Sequence, residues 1–178
     1  LASAMSRLGT ESAFVVLAKA RQLEAEGKSI IHLEIGEPDF DTPDHIRIAA
    51  AQALEQGYTH YVPAPGLTEV RQSIARNVGE RRGIDVDWRQ VVVTPGAKPI
   101  MFFTILALAQ RGTEVIYPDP GFPIYESMIR FAGARPVPMP LLEHNDYRPD
   151  LELLATQITD RTRLIILNSP NNPCGSVL

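Results

Sequence analysis

The second half of the chain repeats one rhythm, a short apolar run followed by a helical pattern, and that rhythm leaves few folds open. Val91–Thr94, Glu114–Tyr117, Arg135–Pro138 and Leu164–Leu167 are strand-length runs, separated by helical patterns at Ala97–Ala109, Pro123–Phe131 and Leu151–Gln157. Strands joined through helices predict right-handed βαβ crossovers and a mainly parallel sheet with helices on both faces. Upstream, the apolar spacing predicts an amphipathic helix from Glu11 to Glu26 that Gly27 ends in a left-handed conformation. A short strand over Ile30–Ile35 is expected next, then a helix from Pro43 to about Gln56 with Thr42 as its N-cap. Tyr58–Gly66, with Pro63 and Pro65, has the composition of a loop and precedes a helix expected from Leu67 to Arg82. No internal repeat interrupts this order.

Of the 178 residues 44% are hydrophobic, which suits a sizeable core and not a disordered chain. A net charge of −4 without any Lys/Arg-rich run argues against nucleic acid and anionic membranes and for a small-molecule ligand. The longest apolar stretch, Ile100–Ala109, is too short to span a bilayer, and the start of the chain lacks the pattern of a signal peptide. A cytoplasmic protein is therefore expected. Cys174 is the single cysteine, and no Cys/His spacing suggests a metal site. The chain starts at Leu1 and stops three residues past a Pro-Cys-Gly turn, and both ends read as trimmed.

Three segments carry candidate chemistry. Val93-Thr94-Pro95-Gly96-Ala97-Lys98 ends an apolar run and opens a helix, a junction whose backbone N–H groups suit a phosphate, although a plain turn uses the same residues. Lys98 fits a solvated first-turn residue or a phosphate neighbour rather than a covalent catalyst. Asp119-Pro120-Gly121-Phe122-Pro123-Ile124-Tyr125 follows an apolar run, which places Phe122 either flat on an aromatic cofactor or in the core beneath the loop. Asn168-Ser169-Pro170-Asn171-Asn172-Pro173-Cys174-Gly175 is a stiff polar loop able to hold a donor amide near a ligand, or a simple turn.

In order along the chain, Gly36-Glu37-Pro38-Asp39-Phe40, Tyr61-Val62-Pro63, Pro95-Gly96-Ala97-Lys98, Pro120-Gly121-Phe122-Pro123-Ile124-Tyr125 and Asn171-Asn172-Pro173-Cys174-Gly175 resemble the motifs of class I aminotransferases, which use pyridoxal 5'-phosphate (PLP). The resemblance covers almost the whole chain. It implies an α/β fold-type-I PLP-transferase large domain, a mainly parallel sheet sandwiched by helices. That domain is incomplete and follows an N-terminal segment of the small domain. Residues 1–42 would form the arm and small-domain segment, and 43–178 the first part of the large domain.

By the same resemblance Gly36 contacts the substrate carboxylate, Tyr61 reaches the cofactor phosphate of the neighbouring subunit, and the amides of Ala97 and Lys98, in the turn made by Gly96, bind phosphate in their own subunit. Phe122 stacks on the pyridine ring and Asn172 hydrogen-bonds the ring hydroxyl oxygen, both also bordering the substrate. Cys174 stands where the family usually has threonine. The family's Schiff-base lysine lies beyond Leu178, as do its pyridinium-pairing aspartate and its phosphate- and carboxylate-binding arginines. Lys19, Lys28 and Lys98 are the only lysines present, so no catalytic residue is expected here. The implied function is transfer of an amino group between an amino acid and a 2-oxo acid by a homodimer with a shared active site. The alternatives are a C–S lyase or cyclising enzyme of the same fold, an aminotransferase-like sensor domain of a transcription regulator, or a phosphate-binding α/β domain unrelated to PLP.

Overall fold

A computed structural model describes residues 1–9 and 12–178. The chain forms two compact units, Leu1–Ile35 with Lys98–Leu178, and Gly36–Ala97.

The first unit is built on three parallel strands, β1 (Glu114–Asp119), β2 (Arg135–Pro140) and β3 (Thr162–Ile165), in the spatial order β2-β1-β3. Central β1 is apolar on both faces because each face is covered. Val115 meets Ile105 of helix α4 (Ala97–Leu108), Ala109 just past its end, and Ile129 of helix α5 (Ile124–Ala132). Its neighbour Ile116 points the other way and joins Val137, Met139 and Leu141, with Leu154 of helix α6 (Leu151–Gln157) against them. The crossover from β1 to β2 runs through α5, and the return from β2 to β3 runs through α6. Crossovers of one hand that travel in opposite directions put their helices on opposite faces, as observed.

Local chemistry sets the helix ends. Asp150 caps α6 by accepting from the N–H groups of Glu152 and Leu153, both at 3.0 Å, a contribution of about 1 kcal/mol. Arg7 covers the end of α5 by donating to the carbonyls of Arg130 and Phe131, each at 2.9 Å. At the amino ends of the strands Glu114 is almost fully buried. It accepts from Arg135 at 2.9 Å, Arg161 at 2.8 Å and Thr159 at 2.9 Å. Burial pushes its carboxyl pKa up, and the Thr159 hydrogen bond and the two guanidinium groups together bring it below the ordinary value.

Helix α1 (Ser12–Ala25) is followed by Gly27 at φ 86°, as the sequence predicts, while its expected start at Glu11 lies outside the described residues. The expected strand Ile30–Ile35 does not form. A strand needs a ladder partner and the described residues supply none to this segment, so Ile31 and Leu33 stand 85% and 89% exposed. β3 begins two residues earlier than expected because its register is set by pairing, Thr162 opposite Glu114 and Ile165 opposite Ile116.

The second unit contains helix α2 (Asp44–Glu55) and helix α3 (Thr68–Arg82), with a 3-10 turn at Trp88–Gln90. Pro43 occupies the N-cap position of α2 and no side chain caps it, so the expected N-cap Thr42 lies one residue too early. Gly83, at φ 66°, ends α3 and donates its N–H to the carbonyl of Gly79 at 2.9 Å. Tyr58–Gly66 is a loop, as expected. Val91–Thr94 is not a strand; the Val93 N–H goes to the Pro65 carbonyl at 3.0 Å instead of a ladder partner.

Among the described residues no helix is long and apolar enough to cross a membrane, and no group of three or more His, Cys, Asp or Glu could hold a metal ion.

Candidate active site

Two of the three candidate segments leave neighbouring strands at the same end. β1 and β3 are adjacent and parallel, and the Ile166 N–H prolongs their pairing to the Ile116 carbonyl at 2.9 Å. Beyond β1 the chain turns through Pro120-Gly121-Phe122; beyond β3 it enters Asn168–Gly175. Ligands of open α/β sheets gather outside the carboxyl ends of strands, which is where both segments lie.

Tyr125 lies in the first turn of α5 and is 6% exposed. Burial pushes its pKa up, and the neighbouring Asn168 side chain partly offsets the shift. Phe122 packs its ring edge-on against Tyr125, with centroids 5.9 Å apart and planes at 86°. It is half-buried, so it is neither a core residue nor a free surface side chain. The Lys98 ammonium lies 5.9 Å from the Phe122 centroid. Gly121 permits the tight turn after β1, since a Cβ there would fall 2.1 Å from the Pro118 carbonyl oxygen. Peptide bonds preceding Pro120, Pro170 and Pro173 are cis.

In the loop after β3 the two adjacent asparagines have different tasks. Asn171 is buried and builds the turn: its N–H reaches the Ser176 carbonyl, its carbonyl accepts from Gly175, and its Oδ1 accepts from the Cys174 N–H at 3.1 Å. Its Nδ2 is buried without a partner among the described residues. Asn172, the expected cofactor contact, is exposed beside it. Sequence reasoning therefore found the loop and missed the burial of Tyr125 and the turn built by Asn171. A signal for Tyr125 existed, since it stands three residues after Phe122 at the opening of a helix, where side chains meet.

In the second unit, Gly36 is exposed and Tyr61 is fully exposed, with no side-chain partner in its own unit. Gly96 has φ +88°, a conformation that strains any residue with a Cβ, and its turn is closed by Thr94 Oγ1 donating to the Gly96 carbonyl at 2.7 Å. Ala97 then opens α4, and the first N–H groups of a helix have no intrahelical acceptor. Of the expected contacts, Gly36, Tyr61, Gly96 and Ala97 thus belong to one unit, and Lys98, Phe122 and Asn172 to the other.

In the first unit an aromatic ring with a cation beside it and an exposed neutral amide have the chemistry to hold a planar aromatic ligand such as PLP. In the second unit the glycine turn at Gly96 has, by itself, the chemistry to meet an anionic group.

The family described as aminotransferase class I and II matches residues 28–178. The probable aspartate/prephenate aminotransferase of Aquifex aeolicus is 39% identical, over 99% of this chain and 45% of that protein. The aspartate aminotransferase of Pyrococcus horikoshii is 42% identical over 85% of this chain and 39% of its own length. Among solved structures, the Thermus thermophilus aspartate aminotransferase with maleate superposes with a TM-score of 0.91 at 37% identity, covering 97% of this chain and 45% of that one. The alanine aminotransferase of Pyrococcus furiosus gives 0.93 at 31% identity, over 99% and 46%. The chain thus spans about half the length of the relatives it matches, and its parallel sheet with helices on both faces is part of their fold-type-I architecture. A sheet whose strand ends carry Phe122 and the Asn168–Gly175 loop, and a match to the family over all but the first 27 residues, lead to one conclusion: the chain belongs to the class I and II aminotransferases.

Proposed function

We propose that the full-length protein is a PLP-dependent aminotransferase that moves an amino group between an amino acid and a 2-oxo acid. The observation that carries the reading is the delivery of Phe122 and the Asn168–Gly175 loop by adjacent parallel strands, with Lys98 beside the Phe122 ring, in a chain of this family. Relatives named as aminotransferases support amino transfer over lyase or cyclising chemistry on the same fold.

PLP, when bound, supplies the electron sink for bond changes at the substrate's α-carbon. The residues of this chain bind and orient. Gly96 shapes the turn from which the Ala97 and Lys98 amides would hold the phosphate, Phe122 would offer its face to the ring, and Asn172 would donate to the ring hydroxyl oxygen. Gly36 would meet the substrate carboxylate, and Phe122 and Asn172 would also border the substrate. None of these residues is proposed to move a proton; the Schiff-base lysine is proposed to lie in the part of the full-length protein beyond Leu178.

A homodimer with a shared active site belongs to the same reading. Full exposure of Tyr61 supports it, because a side chain that meets the neighbouring subunit's phosphate has no need of partners at home. Residues 1–42 are proposed as the arm and small-domain segment and 43–178 as the first part of the large domain. A cytoplasmic setting is supported by Cys174, a free thiol.

The test is to incubate the full-length protein and PLP with a panel of amino acids and 2-oxoglutarate. Glutamate and the matching 2-oxo acid should appear in equal amounts. Release of ammonia or a thiol without glutamate would replace this reading with elimination chemistry.

A further inference from the structure

The turn that opens α4 stands on Val91–Gly96, a segment that no strand ladder supports among the described residues. A side chain holds it instead. Arg71 on α3 is 8% exposed, and its guanidinium donates from Nε to the Val91 carbonyl at 2.7 Å and from Nη2 to the Arg89 carbonyl at 3.2 Å. The same group lies 4.8 Å from the centre of the Trp88 ring. Asp87 is taken by Arg89, which binds both of its carboxylate oxygens, and no carboxylate pairs with Arg71 among the described residues. Burying a guanidinium is costly, and its two carbonyl bonds, the indole face and the nearby charge of Asp87 compensate it.

Further along the segment a second anchor takes over. The Val93 N–H donates to Pro65, and Gly66, at φ +105°, lies so close that a Cβ would sit 3.0 Å from the Val93 side chain. The segment is therefore gripped at Val91 from α3 and at Val93 from the loop that carries Tyr61.

We propose that Arg71 is a positioning residue for phosphate recognition: by fixing the Arg89 and Val91 carbonyls it sets where Gly96 and Ala97 present their backbone, and through Val93 it steadies the Tyr61 loop. The inference rests on the phosphate roles proposed above for Ala97, Lys98 and Tyr61. Backbone capture of an anion depends on direction, because hydrogen bonds weaken steeply once the donor angle falls below about 120°. A loosened segment thus loses phosphate affinity before it loses its fold. Lysine at position 71 keeps the charge and lacks the planar fork that reaches two carbonyls at once.

The experiment measures binding of PLP and of pyridoxal, which lacks the phosphate, to the full-length apoprotein by equilibrium dialysis, with thermal unfolding of each variant alongside. Wild type should prefer PLP. R71M should weaken PLP at least tenfold and pyridoxal less than twofold, and R71K, the milder change if R71M does not fold, should show the same selective loss at a smaller size. Equal losses for the two ligands, or an unchanged PLP affinity in a folded variant, would overturn the role of Arg71. A wild type that binds both ligands equally would overturn the phosphate roles themselves, and this inference with them.

Discussion

The two units of this chain are held together by different physics. In the first, a parallel sheet is apolar on both faces and side chains such as Ile105, Val115, Ile116 and Ile129 are all but completely buried. In the second, α2 buries no residue, α3 buries only Arg71 and Ala75, and the loops are fixed by single directed contacts: Arg71 to Val91, Val93 to Pro65, Asp87 to Arg89. Burial of apolar area is non-directional and tolerant; a guanidinium on a carbonyl is neither. A unit built the first way supplies a rigid platform for Phe122, and a unit built the second way sets the position of a turn.

The sharpest test of that contrast is a pair of isoleucines. Ile116→Ala leaves a cavity against Val137 and Met139 and should cost about 2–5 kcal/mol, whereas Ile46→Ala, at a half-exposed side chain of α2, should stay within about 0.5 kcal/mol. Denaturant unfolding of residues 1–178 measures both, and equal losses would dissolve the distinction.

A smaller effect separates structure from binding within one loop. Asn171→Ala removes the acceptor of the part-buried Cys174 N–H and should destabilise by about 1–3 kcal/mol. Asn172→Ala should leave stability unchanged within about 0.5 kcal/mol and weaken PLP binding by the full-length protein instead. If the stability loss falls on Asn172, the division of labour proposed for the two amides is wrong.

The smallest effect is confined to acid. The folded pKa of Glu114 lies below its ordinary value, so its contribution is fully present above the unfolded pKa and is lost as pH falls through the folded one. Its arginines are more than half exposed, which keeps the contribution modest. Thermal unfolding followed from pH 7 down through about pH 4 should fall more steeply for wild type than for Glu114→Gln. Parallel curves would show that this carboxylate has the same pKa folded and unfolded.

Much of the architecture was legible because it is local. The period of Leu151–Gln157 predicts α6 to the residue, Gly27 marks the end of α1, the expected end of α3 at Arg82 is observed, and the apolar runs at Glu114 and Arg135 announce β1 and β2. The same reasoning expected strands at Ile30–Ile35 and Val91–Thr94, where the composition is right and no partner is supplied. It also reached the loop after β3, where the family resemblance points to Asn172; nothing in the order Asn171-Asn172 says that Asn171 is the amide that turns inward.

The sequence by itself determined the alternation of strand and helix, the helix stops, and the order of motifs that marks the family, since each depends on residues close together in the chain. Tertiary structure alone decided which apolar runs become strands, the register of β3, the burial of Asn171 beside exposed Asn172, and the grip of Arg71 on Val91. Each of these depends on a partner supplied from elsewhere in the fold, by a ladder, an opposite face, or a carbonyl twenty residues away.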